Sequence, residues 1–189
     1  MFVLNVSSPN TPGLGELQEV DQLSSILTEC KMMSERKGGG KPLLLKLSPD
    51  NSDDEIIASA QMAMRMGIDG FVATNTTLHR PVPRNATSRS VFAESGGLSG
   101  RPLQARSNEV IRLLYEETGP TVPIVGVGGI DSVDTAWQAV ASGASLLQLY
   151  SALVFYGPSV VSSIVKGLKR RVKDNGFLGI EEAVGLDIA

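Results

Sequence analysis

Val125-Gly126-Val127-Gly128-Gly129-Ile130-Asp131 is the stretch on which the fold turns. The apolar run Ile124 to Val127 enters it and paired glycines follow, so it reads as the tip of a buried strand opening into a glycine turn. A dinucleotide-binding turn has G-x-G-x-x-G spacing, and the position due for the third glycine holds Asp131. The turn also lies late in the chain, directly before one more strand-helix pattern. A (β/α)8 barrel places a phosphate site on the loops after its seventh and eighth strands, and the last two units here have that form.

Working outward, five short apolar runs read as buried strands: Phe2 to Val6, Leu43 to Leu47, Gly70 to Thr74, Ile124 to Val127 and Ser145 to Leu149. They are continuous rather than alternating, which suits strands covered on both faces. Helical patterns separate them at roughly Glu16 to Glu35, Ser52 to Met66, Pro102 to Glu117, Ser132 to Ser142 and Pro158 to Lys173. Ser52-Asp53-Asp54-Glu55 is an acidic, cap-like helix start, and Gly67 and Gly143 are stops. Strand-helix repetition means parallel strands joined by right-handed crossovers, in a doubly wound sheet or a barrel. The glycine turn favours the barrel. Counted from its end, the five strands are the fourth to the eighth, within one domain over 1–189. Five strands leave two apolar edges open, and Met1 stands directly against a strand, so the expectation is that earlier barrel strands are missing. Residues 78–101 show no periodicity and are rich in Pro, Ser, Arg and Gly; such a segment is a long loop, a lid or a flexible surface excursion.

The net charge of -3 offers no footprint for nucleic acid. No apolar run reaches the ~18 residues that a membrane span needs. Cys30 is the sole cysteine and falls in the stripe Leu23, Ile26, Leu27, Cys30, which reads as a core thiol ahead of a nucleophile. With His79 the sole histidine, a multi-histidine metal site is excluded and no metal is expected.

Barrel chemistry gathers at the C-terminal strand ends. That rule brings together Asn5, Ser8 and Asn10, then Lys46, then Thr74, Asn75 and Thr76, then Gly128 and Gly129, then Tyr150 and Ser151. Asn5-Val6-Ser7-Ser8-Pro9-Asn10-Thr11-Pro12-Gly13 is uncharged and offers carboxamides and hydroxyls, suited to a heterocycle with carbonyls and N–H groups or simply to capping a turn. Lys46 is embedded in Leu43-Leu44-Leu45-Lys46-Leu47. Its partner is a ligand anion, an electron-rich ring or an internal acid, unless it snorkels to water. The glycines and Ser151 suit a phosphate. There is no carboxylate pair for glycoside chemistry. A phosphorylated cofactor fits this inventory.

Six motifs in order, Asn5 to Gly13 (NVSSPNTPG), Leu45 to Pro49 (LKLSP), Thr74 to Thr77 (TNTT), Gly96 to Pro102 (GGLSGRP), Val125 to Ile130 (VGVGGI) and Gln148 to Ser151 (QLYS), resemble the class 2 dihydroorotate dehydrogenases. The resemblance implies an FMN-binding (β/α)8 barrel of the TIM-barrel family. It implies oxidation of dihydroorotate to orotate in de novo pyrimidine (UMP) synthesis, with a quinone as final acceptor. Ser8 stands where class 1 enzymes carry cysteine. Carried over by position, Ser8 takes the proton from C5 of dihydroorotate and Thr11 helps relay it. Asn5, Asn10, Asn75 and Thr76 hold the pyrimidine. Asn5, Lys46, Thr74, Gly100, Gly128, Gly129, Tyr150 and Ser151 hold FMN, with Gly129, Tyr150 and Ser151 near its phosphate. Ser151 replaces a threonine frequent in the family and keeps the hydroxyl. The family's first three strands and its N-terminal helical segment have no counterpart. Quinone access and membrane association, on the mitochondrial inner membrane of eukaryotes or the cytoplasmic membrane face of bacteria, are implied through that missing region. The expectation is thus a catalytically incomplete C-terminal portion. The alternatives are a non-catalytic truncated product that binds FMN or phosphate weakly or not at all, and a sugar-phosphate isomerase, which the absence of a carboxylate or histidine in the first turn disfavours.

Overall fold

A computed structural model describes residues 1–11, 20–83 and 85–188. Pro12 and Gly13, and the expected helix start at Glu16, lie outside the described residues. Five strands, β1 (Phe2–Asn5), β2 (Leu43–Leu47), β3 (Gly70–Ala73), β4 (Ile124–Val127) and β5 (Leu146–Gln148), form one parallel sheet in the order β1-β2-β3-β4-β5. Strand order follows chain order, so each crossover steps to the adjacent position, as in a barrel wall. The expected incomplete (β/α)8 barrel is what the structure contains.

The helices are α1 (Val20–Arg36), α2 (Asp53–Arg65), α3 (Ala86–Phe92), α4 (Gln104–Thr118), α5 (Val133–Ala141), α6 (Ser151–Tyr156) and α7 (Ser159–Asp174). Local chemistry explains their limits. The Glu55 amide donates to Ser52 Oγ at 3.3 Å and the Ser52 amide donates to Glu55 Oε2 at 2.8 Å, a reciprocal cap that starts α2. Ser132 and Thr135 start α5 in the same way, at 3.3 and 2.9 Å. Leu45, Leu47, Ile56, Phe71, Val110, Ile111, Leu114 and Ile124 fill the main core between sheet and helices. Cys30 packs against that core from α1, as its place in the α1 stripe implies. Gly126 is required by close approach: a Cβ there would lie 2.9 Å from Ala144 Cβ. A smaller cluster of Trp137, Val140, Ala141 and Ala183 fastens the C-terminal turn to α5, and the Arg171 guanidinium lies 5.0 Å from the Trp137 ring.

The segment 78–101 departs from the expected irregular loop in one respect, because it contains α3. That helix has no buried residue among those described, so it lacks the apolar stripe that would have marked it. The excursion is tied at its base. Thr77 and Leu98 form an antiparallel bridge. The Arg80 guanidinium donates to the carbonyls of Thr77 (3.0 Å), Phe92 (3.3 Å), Glu94 (3.4 Å) and Gly96. Among the described residues both sheet edges are open, and Phe2 on β1 and Leu146 on β5 are each 55% exposed.

Candidate active site

Register makes the strand tips level. Asn5 pairs with Lys46, Leu47 with Ala73, Ala73 with Gly126, and Val127 with Gln148. The turns leaving these tips enclose a cavity of ≈ 380 Å³, within the usual range for small-molecule sites. Asn10, Lys46, Thr74, Asn75, Thr76, Gly100, Gly128, Gly129, Tyr150 and Ser151 all line it. An adjoining chamber of ≈ 320 Å³ shares Gly100, Gly129, Ile130 and Ser151 and adds Arg101, Asp131, Phe155 and Tyr156. Asn5, Ser8 and Thr11 are not among the lining residues. Asn5 is joined to the cavity wall through Asn75. Ser8 is half-buried two residues from Asn10, whose amide donates to Ser8 Oγ at 3.4 Å. Thr11 is exposed.

Hydrogen bonds set what each polar group has left to offer. Asn75 Nδ2 donates to Asn5 Oδ1 at 3.0 Å and to Ser7 Oγ at 3.1 Å, while Asn75 Oδ1 accepts from the Thr76 amide at 2.8 Å. Both amide hydrogens of Asn75 are therefore spent inside the protein. Asn10 Oδ1 accepts from the Gly97 amide at 2.8 Å, which ties the first turn to the 78–101 excursion. Neither Nδ2 of Asn5 nor that of Asn10 donates a hydrogen bond among the described residues. Thr76 Oγ1 is buried without a partner, and such an orphan lining a cavity is an acceptor or donor awaiting a ligand. Thr74 Oγ1 and Ser107 Oγ are 2.9 Å apart and buried.

Lys46 makes no ion pair or hydrogen bond among the described residues, and burial lowers its pKa by desolvation. An unpaired, half-buried ammonium at a strand tip is unfavourable for folding by itself. Gly128 and Gly129 hold the turn where side chains cannot go. At φ 140° a Cβ on Gly128 would lie 2.0 Å from Ser107 Oγ, and at φ 68° one on Gly129 would lie 2.5 Å from Gln104 Cβ. The turn backbone is thereby left bare toward the cavity.

Reading by motif missed three features. Ser107 supports Thr74 from α4, and its signal was a hydroxyl within the apolar stripe Leu103, Ser107, Val110, Ile111, Leu114. Gln148 and Ser99 line the cavity from within motifs already singled out. Arg101 Nε donates to Asp131 Oδ2 at 2.7 Å across the second chamber; no local pattern marks that pair. His79 lines a separate cavity with Asp50, Thr77 and Arg106, so it does not serve Ser8.

Fold and cavity together define the class, an incomplete (β/α)8 barrel with a cavity at the C-terminal strand ends. Residues 1–172 match the sequence family described as dihydroorotate dehydrogenase, and the chain belongs to that family. Proteins named dihydroorotate dehydrogenase (quinone) from Trichodesmium erythraeum and Streptomyces coelicolor are 44% and 41% identical over 189 residues. The alignments cover 98% and 99% of this chain and 49% and 51% of those proteins. The chain spans about half the length of the curated relatives it matches. A solved DHODH from Eimeria tenella, in complex with ferulenol, superposes with a TM-score of 0.90 at 33% identity, covering 98% of this chain and 54% of that one.

Proposed function

We propose that this chain supplies the FMN- and pyrimidine-holding strand tips of a dihydroorotate-oxidising site, in a protein that passes electrons to a quinone during pyrimidine synthesis. The observation that carries the reading is the convergence of Lys46, Thr74, Asn75, Thr76, Gly128, Gly129 and Ser151 on one cavity, from four level strand tips. The residues fit the cofactor: an unpaired cation, an orphaned hydroxyl at Thr76 and a glycine turn kept clear of side chains supply charge, hydrogen bonding and room. FMN, when bound, supplies a hydride acceptor.

The chain's own groups do the rest. Lys46 offers its ammonium to an electron-rich ring and regains there the interaction that burial removed. Asn75 fixes Asn5, leaving Asn5 Nδ2 to meet a carbonyl or carboxylate of the pyrimidine. Gly97 fixes Asn10, leaving Asn10 Nδ2 for the same purpose. Gly100, Gly129 and Ser151, beside Tyr150, would hold the phosphate. Ser8 takes the proton from the substrate carbon next to the one oxidised, with Thr11 in the relay. Among the described residues its hydroxyl receives one long hydrogen bond and has no histidine beside it.

No helix among the described residues is long and apolar enough to cross a membrane. Quinone contact and any membrane association belong, in this reading, to parts of the longer protein beyond these strands.

The test exchanges these strands into the barrel of a full-length relative, titrates with FMN and follows flavin absorbance on anaerobic addition of dihydroorotate, for the parent exchange and for Ser8→Ala. The reading expects FMN to bind both equally and substrate-dependent bleaching to slow by ~100-fold or more in the variant. Equal bleaching rates would remove Ser8 from the reaction. A second reading, flavin binding without turnover, is favoured by the exposed Phe2 and Leu146 at the open edges; it expects FMN binding and no bleaching in either protein.

A further inference from the structure

We propose that Arg101 is the cationic clamp of the phosphate subsite, oriented for that role by Asp131; the inference rests on the flavin reading above and assigns its anionic end. Two cations line the two chambers among their described residues, Lys46 in one and Arg101 in the other. Gly129 belongs to the walls of both chambers. Lys46 is on β2, whereas Arg101 shares its chamber with Gly129 and Ser151, the groups that follow β4 and β5.

The geometry of Arg101 is that of a held, unspent cation. Its Nε donates to Asp131 Oδ2 at 2.7 Å, and no other hydrogen bond or ion pair of this side chain occurs among the described residues. Four N–H groups on the two terminal nitrogens remain, in the planar fork that matches phosphate oxygens two at a time. Asp131 is the fixed member of the pair. Its side chain is 10% exposed against 73% for Arg101, and its amide donates to Thr135 Oγ1 at 2.9 Å at the start of α5. Asp131 Oδ1 is buried and has no partner. A carboxylate beside an anion site would repel the ligand if it stood alone. Held against Arg101, it acts by aiming the guanidinium, so attraction comes from directed N–H groups more than from net charge. Gly100 precedes Arg101 at φ 80°, so backbone that favours glycine sets the start of the Arg101 side chain at the chamber wall.

The remaining donors near this chamber, among them the Gly100 and Gly129 amides and the Ser151 and Tyr156 hydroxyls, are neutral. They bind a phosphate ester without discriminating strongly for its charge. Arg101 supplies the discrimination, so its removal weakens ligands that carry the phosphate and leaves those that lack it.

The experiment titrates the parent chain, Arg101→Met, Arg101→Lys and Asp131→Asn with FMN and with riboflavin, following flavin fluorescence. Arg101→Met is expected to bind FMN about tenfold more weakly, the low end for a charged hydrogen bond because the side chain is mostly exposed. Its riboflavin affinity is expected to match the parent's. Arg101→Lys restores part of the FMN preference, and Asp131→Asn weakens FMN without touching riboflavin. An unchanged FMN-to-riboflavin ratio in Arg101→Met overturns the inference and leaves the flavin reading standing. If the parent binds neither flavin, the flavin reading fails, and inorganic phosphate then decides the assignment. Broadening of its ³¹P resonance by the parent that is lost in Arg101→Met upholds the clamp, and absence of that difference refutes it.

Discussion

Replacing Lys46 by methionine should make the protein more stable and a poorer flavin binder at once. The ammonium sits within β2 between buried Leu45 and Leu47, without a partner among the described residues, so the substitution breaks no ion pair. A methionine of similar length would bury roughly 30 Å² of additional apolar surface, contributing about 0.8 kcal/mol. Relief of the desolvation penalty adds a few tenths more, a small amount because the group is half in water. The expected gain is ~1 kcal/mol, or roughly 2–4 °C in Tm for a chain of this size. Urea unfolding followed by fluorescence of Trp137, the sole tryptophan and a buried one, reads it directly. The pH dependence has a definite sign. Burial lowers the Lys46 pKa below 10.5. Below the lowered value both states hold the proton, and the folded ammonium carries its full penalty. Between that value and 10.5 the unfolded chain binds a proton that the folded chain has released, so parent stability rises with pH across that window. The methionine variant lacks this rise, and its advantage is largest at neutral pH and shrinks toward 10.5. A variant less stable than the parent at neutral pH would refute the reasoning, because it would mean that the ammonium has a stabilising partner inside the fold.

Gly128→Ala should cost about 2–4 kcal/mol, from left-handed backbone strain together with overpacking against Ser107. Gly119→Ala is the control, with φ 75° and nothing within 4 Å of the added methyl; equal losses in urea unfolding would show that the contact with Ser107 is not what matters. Ser52→Ala should cost ~1 kcal/mol by removing the cap of α2. Hydrogen bonds from the Ser52 backbone and hydroxyl lower the Glu55 pKa, so their contribution is present above the ordinary value of 4.5 and fades as pH falls through the lowered one. The gap between parent and Ser52→Ala should therefore narrow in acid, which stability curves at several pH values would check. Arg80→Met should loosen the 78–101 excursion, raising amide exchange at Thr77 and Leu98 about tenfold; unchanged exchange would mean that the Thr77–Leu98 bridge holds without the guanidinium.

The three central strands were legible because strands buried on both faces appear as unbroken apolar runs, and Leu43 to Leu47 is one throughout except at Lys46. Strands β1 and β5 carry the same apolar runs but are mostly exposed, against the expectation of cover on both faces, because they stand at the sheet edges. Helix starts with a side-chain cap, Ser52 and Ser132, were legible for the same local reason. Helices α3 and α6 were not. Ala86–Phe92 buries no residue among those described, and Ser151–Tyr156 buries Ala152 while Val154 and Phe155 face outward, so neither shows a stripe of apolar period. At the site, residue identity marked Lys46 and the glycine turn, because an ammonium or a paired glycine inside a strand-tip context is locally anomalous. The way Asn75 spends both amide hydrogens on Asn5 and Ser7 was not legible, since the partners are 70 and 68 residues away. The Arg101–Asp131 pair is hidden for the same reason, with a separation of 30 residues between two turns that only the sheet order brings together.

The same sheet order explains why a cavity is formed although the sheet has open edges. Its shaping contacts run between tips no more than two strands apart: Asn75 to Asn5, Gly97 to Asn10, and Thr74 to Ser107 on the helix that leads into β4. None of these crosses an open edge. Closing the sheet would cover Phe2 and Leu146 and remove unpaired strand backbone, yet it would not build the Lys46 or Gly128–Gly129 positions, which the register of β2, β3 and β4 already sets. The residues that shape the cavity and the apolar residues exposed at the rim are therefore separate sets. Lys46 lines the strand-tip cavity and Arg101 the chamber beside it, and neither residue lies on an edge strand.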